Sequence, residues 1–186
     1  QTGGIRAFAD SLYKEILGRI KQTDLSVPVR RGAFHYYSRT EEGKQYPIHC
    51  RRLGSPTEGE ETVLVDLNLL AEGTSFMALG DMAVSDDGWL LAYSTDETGF
   101  RQYTLVVKDL RTGTLLPVRR ERVTSVAWDS DSQTLYYAVE DAETKRSCDV
   151  WQHRLGADED SLVFHEADEA FNVGIARTRS REWLVL

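Results

Sequence analysis

The stretch Ala83-Val84-Ser85-Asp86-Asp87-Gly88-Trp89-Leu90-Leu91-Ala92-Tyr93 reads as two apolar runs joined by a tight polar turn. The pattern returns in Ala127-Trp128-Asp129-Ser130-Asp131-Ser132-Gln133-Thr134-Leu135-Tyr136-Tyr137, displaced by 44 residues throughout. A fainter copy starts at Ile175-Ala176, passes through Arg179-Ser180 and ends in Trp183-Leu184-Val185, 48 residues after the second. Asp and Ser side chains in such turns hydrogen-bond nearby backbone amides, and Gly88 tolerates a positive φ. Each copy therefore predicts an antiparallel strand pair.

Two further strands are predicted after each of the first two copies. After the first they are Gln102 to Lys108 and Leu115 to Val118, joined by the turn Asp109-Leu110-Arg111-Thr112-Gly113-Thr114. After the second they are Asp149 to Arg154 and Ser161 to His165. Four antiparallel strands every 44 to 48 residues is the pattern of a β-propeller blade. A sandwich supplies short strands without this self-similarity.

Upstream, Phe34-His35-Tyr36-Tyr37, Tyr46-Pro47-Ile48-His49-Cys50 and Thr62-Val63-Leu64-Val65 predict strands of a first, less regular blade, and Asn68 to Gly73 a single short turn. Ile5, Phe8, Ala9, Leu12, Tyr13, Ile16, Leu17 and Ile20 recur at helical spacing, so the chain opens with a helix that ends between Asp24 and Pro28. The predicted organisation is mainly β: an N-terminal helix over 1–26, then an incomplete propeller over 27–186. Its blades fall at about 27–70, 76–118 and 122–165, with a truncated one at 171–186. Propellers close with roughly four to eight blades, which protects their strand edges. Three and a half cannot close, and Trp183-Leu184-Val185-Leu186 runs on without a turn signal. The chain is thus expected to be incomplete, to assemble with another chain, or to be the ordered part of a longer one.

Composition narrows the function classes. A net charge of −8 disfavours nucleic acid, which needs a basic face, and would favour encounter with cationic peptides. No apolar run is long enough to span a bilayer as a helix. Cys50 and Cys148 stand far apart in no CxxC pattern, so reduced thiols and a cytoplasmic setting are expected.

The chemistry expected within these residues is sparse. A nucleophile elbow needs Gly-x-Ser-x-Gly, and Gly73-Thr74-Ser75-Phe76-Met77 fails at its last position. His35, His49, His153 and His165 have no metal-site spacing and read as half-buried strand residues. Asp158-Glu159-Asp160, followed by Glu166, Asp168 and Glu169, reads as a solvated acidic turn. Asp129-Ser130-Asp131 lacks the rest of a calcium loop. Trp89, Trp128 and Trp151 are assigned to strands as blade-packing residues. No catalytic, cofactor-binding or metal-binding residue is expected.

A series of segments resembles the oligopeptidase B branch of the prolyl oligopeptidase family of serine peptidases. It comprises Leu17 to Pro28, Tyr36-Tyr37-Ser38-Arg39, Gly43 to Ile48, Cys50-Arg51-Arg52, Val65-Asp66-Leu67-Asn68, Ser85-Asp86-Asp87-Gly88 and Val150-Trp151-Gln152-His153. The resemblance implies a two-domain enzyme, with a Ser-Asp-His triad in a mostly C-terminal α/β-hydrolase domain absent from this chain. A seven-bladed propeller would cover the active site, admitting short peptides for cleavage after Arg or Lys. The remaining blades, the hydrolase domain and short basic peptides are then the implied partners. The helix over 1–26 would pack on the hydrolase domain. The alternative is a non-enzymatic propeller that binds a peptide or protein, because fold does not dictate function.

Overall fold

The computed structural model describes residues 3–186; Gln1 and Thr2, the start of the segment predicted as helical, lie outside the described residues. The chain divides into two compact units, Gln1–Leu69 and Leu70–Leu186.

The first unit opens with helix α1 (Gly3–Arg19), whose apolar stripe is exposed. A four-stranded antiparallel sheet follows, formed by β1 (Val29–Arg31), β2 (Phe34–Arg39), β3 (Ile48–Leu53) and β4 (Glu61–Asp66). Its core is Tyr37, Ile48 and Cys50. The short strand β1 escaped the sequence reading because Val29-Arg30-Arg31 is exposed and largely charged; its pairing with β2 defines it. The single turn of helix α2 (Leu67–Leu70) stands where a short turn was predicted. The Asn68 side chain, bonded to both the amide and the carbonyl of Tyr46, holds the approach to β3.

The second unit contains two further four-stranded sheets. Strands β5 (Ala78–Val84), β6 (Leu90–Asp96), β7 (Thr104–Asp109) and β8 (Leu115–Glu121) lie in chain order, as do β9 (Val123–Trp128), β10 (Thr134–Glu140), β11 (Ser147–Arg154) and β12 (Ser161–His165). A final pair, β13 (Ala176–Arg177) and β14 (Leu184–Val185), begins another sheet. All neighbours are antiparallel. The fold is mainly β, a partial propeller preceded by a helix.

Period-two alternation explains how the sheets of this unit stack. On β9 and β10, Val126, Trp128, Leu135 and Tyr137 pack with Leu90, Ala92, Leu105 and Val107 of the preceding sheet. The alternate residues Ala127 and Ala138 pack with Ile175, which immediately precedes β13 of the following one. A strand buried on both faces needs apolar residues at successive positions, as these runs supply. Trp128 also donates its indole N–H to the Ala83 carbonyl at 3.1 Å, tying β9 to β5. Trp89 corrects the sequence reading: it lies in the turn before β6, at 42% exposure.

The three repeat turns share one design. The backbone pairs are Ser85 with Leu90, Asp129 with Thr134 and Thr178 with Trp183, each with amide-to-carbonyl distances of 2.9 Å. The fourth residue of each turn has positive φ: Gly88 at 80°, Ser132 at 54° and Arg181 at 66°. This geometry sets the offset from second to third copy at 49, from 129 to 178, rather than the 48 read from sequence. A one-residue slip exchanges the two faces of a strand, so the offset decides which residues face the preceding sheet. With it, Ile175 aligns with Val126, and each packs towards its preceding sheet.

Candidate functional site

One candidate site is a cleft of about 570 Å³ lined by residues including Arg120, Glu121, Tyr137, Trp151, Glu159 and Asp160. Arg120 and Glu121 come from β8, Tyr137 from β10 and Trp151 from β11; Glu159 and Asp160 precede β12. At its centre Asp160 accepts bonds from the Arg120 guanidinium side-on, the Tyr137 hydroxyl and the His153 Nδ1. The Arg120 Nη2 and His153 Nδ1 contacts are each 2.7 Å. This corrects the reading of the acidic turn: Asp158 and Glu159 are solvated, but the Asp160 side chain is largely buried.

Burial alone would raise the Asp160 carboxyl, yet the bonds from Arg120, Tyr137 and His153 outweigh it and hold it well below the usual carboxylate range. Burial, reinforced by the bond to Asp160, pushes the Tyr137 phenol well above its ordinary value. Neither group is poised to exchange a proton near neutral pH, which general acid–base catalysis requires. The cluster is a clamp between two sheets.

A related cluster, within a single sheet, occurs in the first unit. Tyr37 of β2 donates to Glu61 at the start of β4 at 2.6 Å, and the Arg39 Nε donates to Glu61 at 3.0 Å. A tyrosine on the second strand meeting a carboxylate at the entry to the fourth is thus a repeated blade feature. Recurrence supports a structural role in both places.

A second constellation lies at the opposite edge of the sheets, where β5, β9 and β13 converge. Asp86, in the first repeat turn, accepts from Arg177 at 2.8 Å and from Arg181. Arg177 also donates to the Trp128 carbonyl at 3.2 Å. One carboxylate and two guanidinium groups thereby tie the first and third repeat turns across the second.

The other residues singled out from sequence are dispersed. Ser75 lies exposed in a bend, remote from any histidine in sequence and in no turn of nucleophile type. His35, His49, His153 and His165 lie on β2, β3, β11 and β12. They are not uniformly half-buried: His153 is buried and bound to Asp160, whereas His165 is exposed and pairs with Asp149 at 2.6 Å. Asp131 accepts from the Gln133 and Thr134 amides, both at 2.8 Å, so it serves its own turn. Among the described residues no helix is long and apolar enough to cross a membrane.

Residues 2–186 match the family model described as the N-terminal β-propeller domain of prolyl oligopeptidase. Over 98% of its length the chain is 40% identical to dipeptidyl aminopeptidase BI of Pseudoxanthomonas mexicana, and it covers 28% of that protein. It is 34% identical to Protease 2 of Moraxella lacunata, covering 94% of the chain and 26% of the relative. Among solved structures, oligopeptidase B from Leishmania major superposes with a TM-score of 0.90 at 27% identity, over 98% of the chain and 26% of that structure. The chain thus spans about a quarter of the length of these relatives.

Proposed function

Since the chain belongs to the prolyl oligopeptidase family and forms part of its N-terminal β-propeller domain, we propose that the full-length protein is a serine-type oligopeptidase. It hydrolyses short peptides after Arg or Lys in an α/β-hydrolase domain, and the propeller restricts access by size. The observation that carries this reading is the superposition on oligopeptidase B over 98% of the chain. The exposed stripe of α1 supports a helix that packs on the hydrolase domain. The two free cysteines, Cys50 and Cys148, fit a cytoplasmic setting.

The test uses the full-length protein and a blocked arginine ester. Hydrolysis abolished by a serine-directed reagent, together with cleavage of a short Arg-containing peptide but not of a folded protein, is the expected result. Hydrolysis insensitive to that reagent would overturn the serine-type assignment.

The 40% identity to a dipeptidyl aminopeptidase favours a second reading, release of dipeptides from free amino termini. Paired substrates that differ only in an acetylated amino terminus separate the two. An endopeptidase cleaves both, whereas a dipeptidyl aminopeptidase cleaves only the free one.

A further inference from the structure

The ladder between β10 and β11 contains a bulge. Val139 pairs with Asp149 and Glu140 with Ser147, leaving Cys148 as the extra residue. In an uninterrupted strand adjacent side chains point to opposite faces, so a thiol and a carboxylate on neighbouring residues do not share a ligand. A bulge relaxes that alternation and re-aims side chains. Directly across the next ladder, Asp149 pairs with His165 of β12. One ligand atom each from Cys148, Asp149 and His165 then lies within 4.8 Å of the others.

From this convergence we infer that Cys148, Asp149 and His165 form a binding site for a zinc-class divalent cation. The donor set is a soft sulfur, an imidazole nitrogen and a carboxylate oxygen, the types that zinc selects. With bonds of about 2.0 to 2.3 Å, tetrahedral ligand atoms stand roughly 3.4 to 3.6 Å apart. The Nδ1-to-Oδ1 contact between His165 and Asp149 is 2.6 Å and must open slightly. The His165 side chain, 54% exposed, is free to make that adjustment.

Access and local charge also suit a cation. Cys148 is buried but lines, together with His165, a cleft of about 590 Å³ that also presents Asp141, Glu143 and Glu169. The two cations that line the cleft are both engaged: Arg146 donates to the carbonyls of Asp168, Phe171 and Glu166, and Lys145 stands 3.9 Å from the Glu140 carboxylate. Coordination displaces the Cys148 proton to solvent. Three protein ligands leave a fourth position for water, and the ion would fasten β11 to β12, the edge strand of its sheet.

The test is metal titration of the full-length protein after removal of metals by a chelator. Cobalt(II) is expected to bind at one equivalent per chain, with a thiolate-to-cobalt charge-transfer band that zinc displaces. Cys148→Ser should abolish the band, and His165→Gln should weaken binding by about tenfold or more. Unchanged melting of the metal-free variants would show that ligand loss, not misfolding, is responsible. His165 is exposed, so its replacement gives a usable variant even where Cys148→Ser folds poorly. A wild-type protein without the charge-transfer band in excess cobalt overturns the site. So does a band that survives in Cys148→Ser, or equal affinity in a folded His165→Gln protein.

Discussion

Asp160 shows how much one side chain carries when its partners are distant in sequence. It collects Arg120, Tyr137 and His153, which lie 40, 23 and 7 residues away. Asp160→Asn keeps the shape but removes the charge that pairs with Arg120, whose side chain is only 29% exposed. The expected cost is about 1 to 3 kcal/mol, below that of a fully buried pair, read as a lower calorimetric transition for the full-length protein. The pH profile tests the same contact. The folded carboxyl sits below its unfolded value of about 3.9, so its stabilisation is complete above that pH and disappears as the pH falls. Wild type should therefore lose more stability than Asp160→Asn between about pH 5 and pH 3. At the alkaline end the sign reverses. The Tyr137 phenol is raised above its unfolded value of about 10, so its contribution is present below that pH and fades above it. Tyr137→Phe should flatten that limb, and equal slopes in wild type and variant would count against the clamp.

At the level of the strand, close packing sets the tolerances. Gly80 lies in an irregular part of β5, between paired residues Leu79 and Met82. A Cβ there would stand 2.6 Å from both the Ser94 Oγ and the Tyr103 Cδ1. Ser94 is buried and accepts from the Asp81 amide, while Asp81 in turn accepts from the Val126 amide of β9 at 2.9 Å. Gly80→Ala should therefore cost about 1 to 3 kcal/mol through overpacking, and loosen β5 against β9. Gly113→Ala, with φ at 76° but open space around it, should cost only about 1 to 2 kcal/mol of backbone strain. Hydrogen exchange at the Val126 amide distinguishes them, because only the Gly80 variant should speed it. The same elements mark how far the sequence can be read. Strands flanking the Asp-rich turns are legible because alternation and turn chemistry are local properties. Strand β1 is not, because its only credential is a partner. Register at the third copy slipped by one because Ile175-Ala176 and Ala127-Trp128 are both apolar, and only hydrogen bonding separates the choices. The acidic turn misled for a related reason: composition cannot reveal that Asp160, and not Asp158, has a guanidinium waiting 40 residues upstream.

For the molecule as a whole, the feature in need of a partner is α1. Ile5, Phe8, Leu12, Tyr13 and Ile16, with Ile20 just beyond the helix, are between 45% and 71% exposed, a contiguous apolar stripe of the kind that serves as an interaction surface. Relatives at 40% and 34% identity extend over about four times the aligned length, and in them the polypeptide beyond the aligned part is long enough to cover such a stripe. If the hydrolase domain receives this stripe, each side chain buried there contributes on the order of 1.5 kcal/mol or more. Replacing Phe8 and Leu12 together with Glu keeps good helix formers at both positions while placing two charges in the contact. The full-length variant is then expected to retain its far-ultraviolet dichroism, become sensitive to proteolysis between Arg19 and Val29, and lose peptidase activity. A helix that is solvent-exposed in the intact protein would make the substitutions silent in all three measurements. That outcome would separate the fate of α1 from the family assignment, which rests on the match across residues 2–186 and not on the helix.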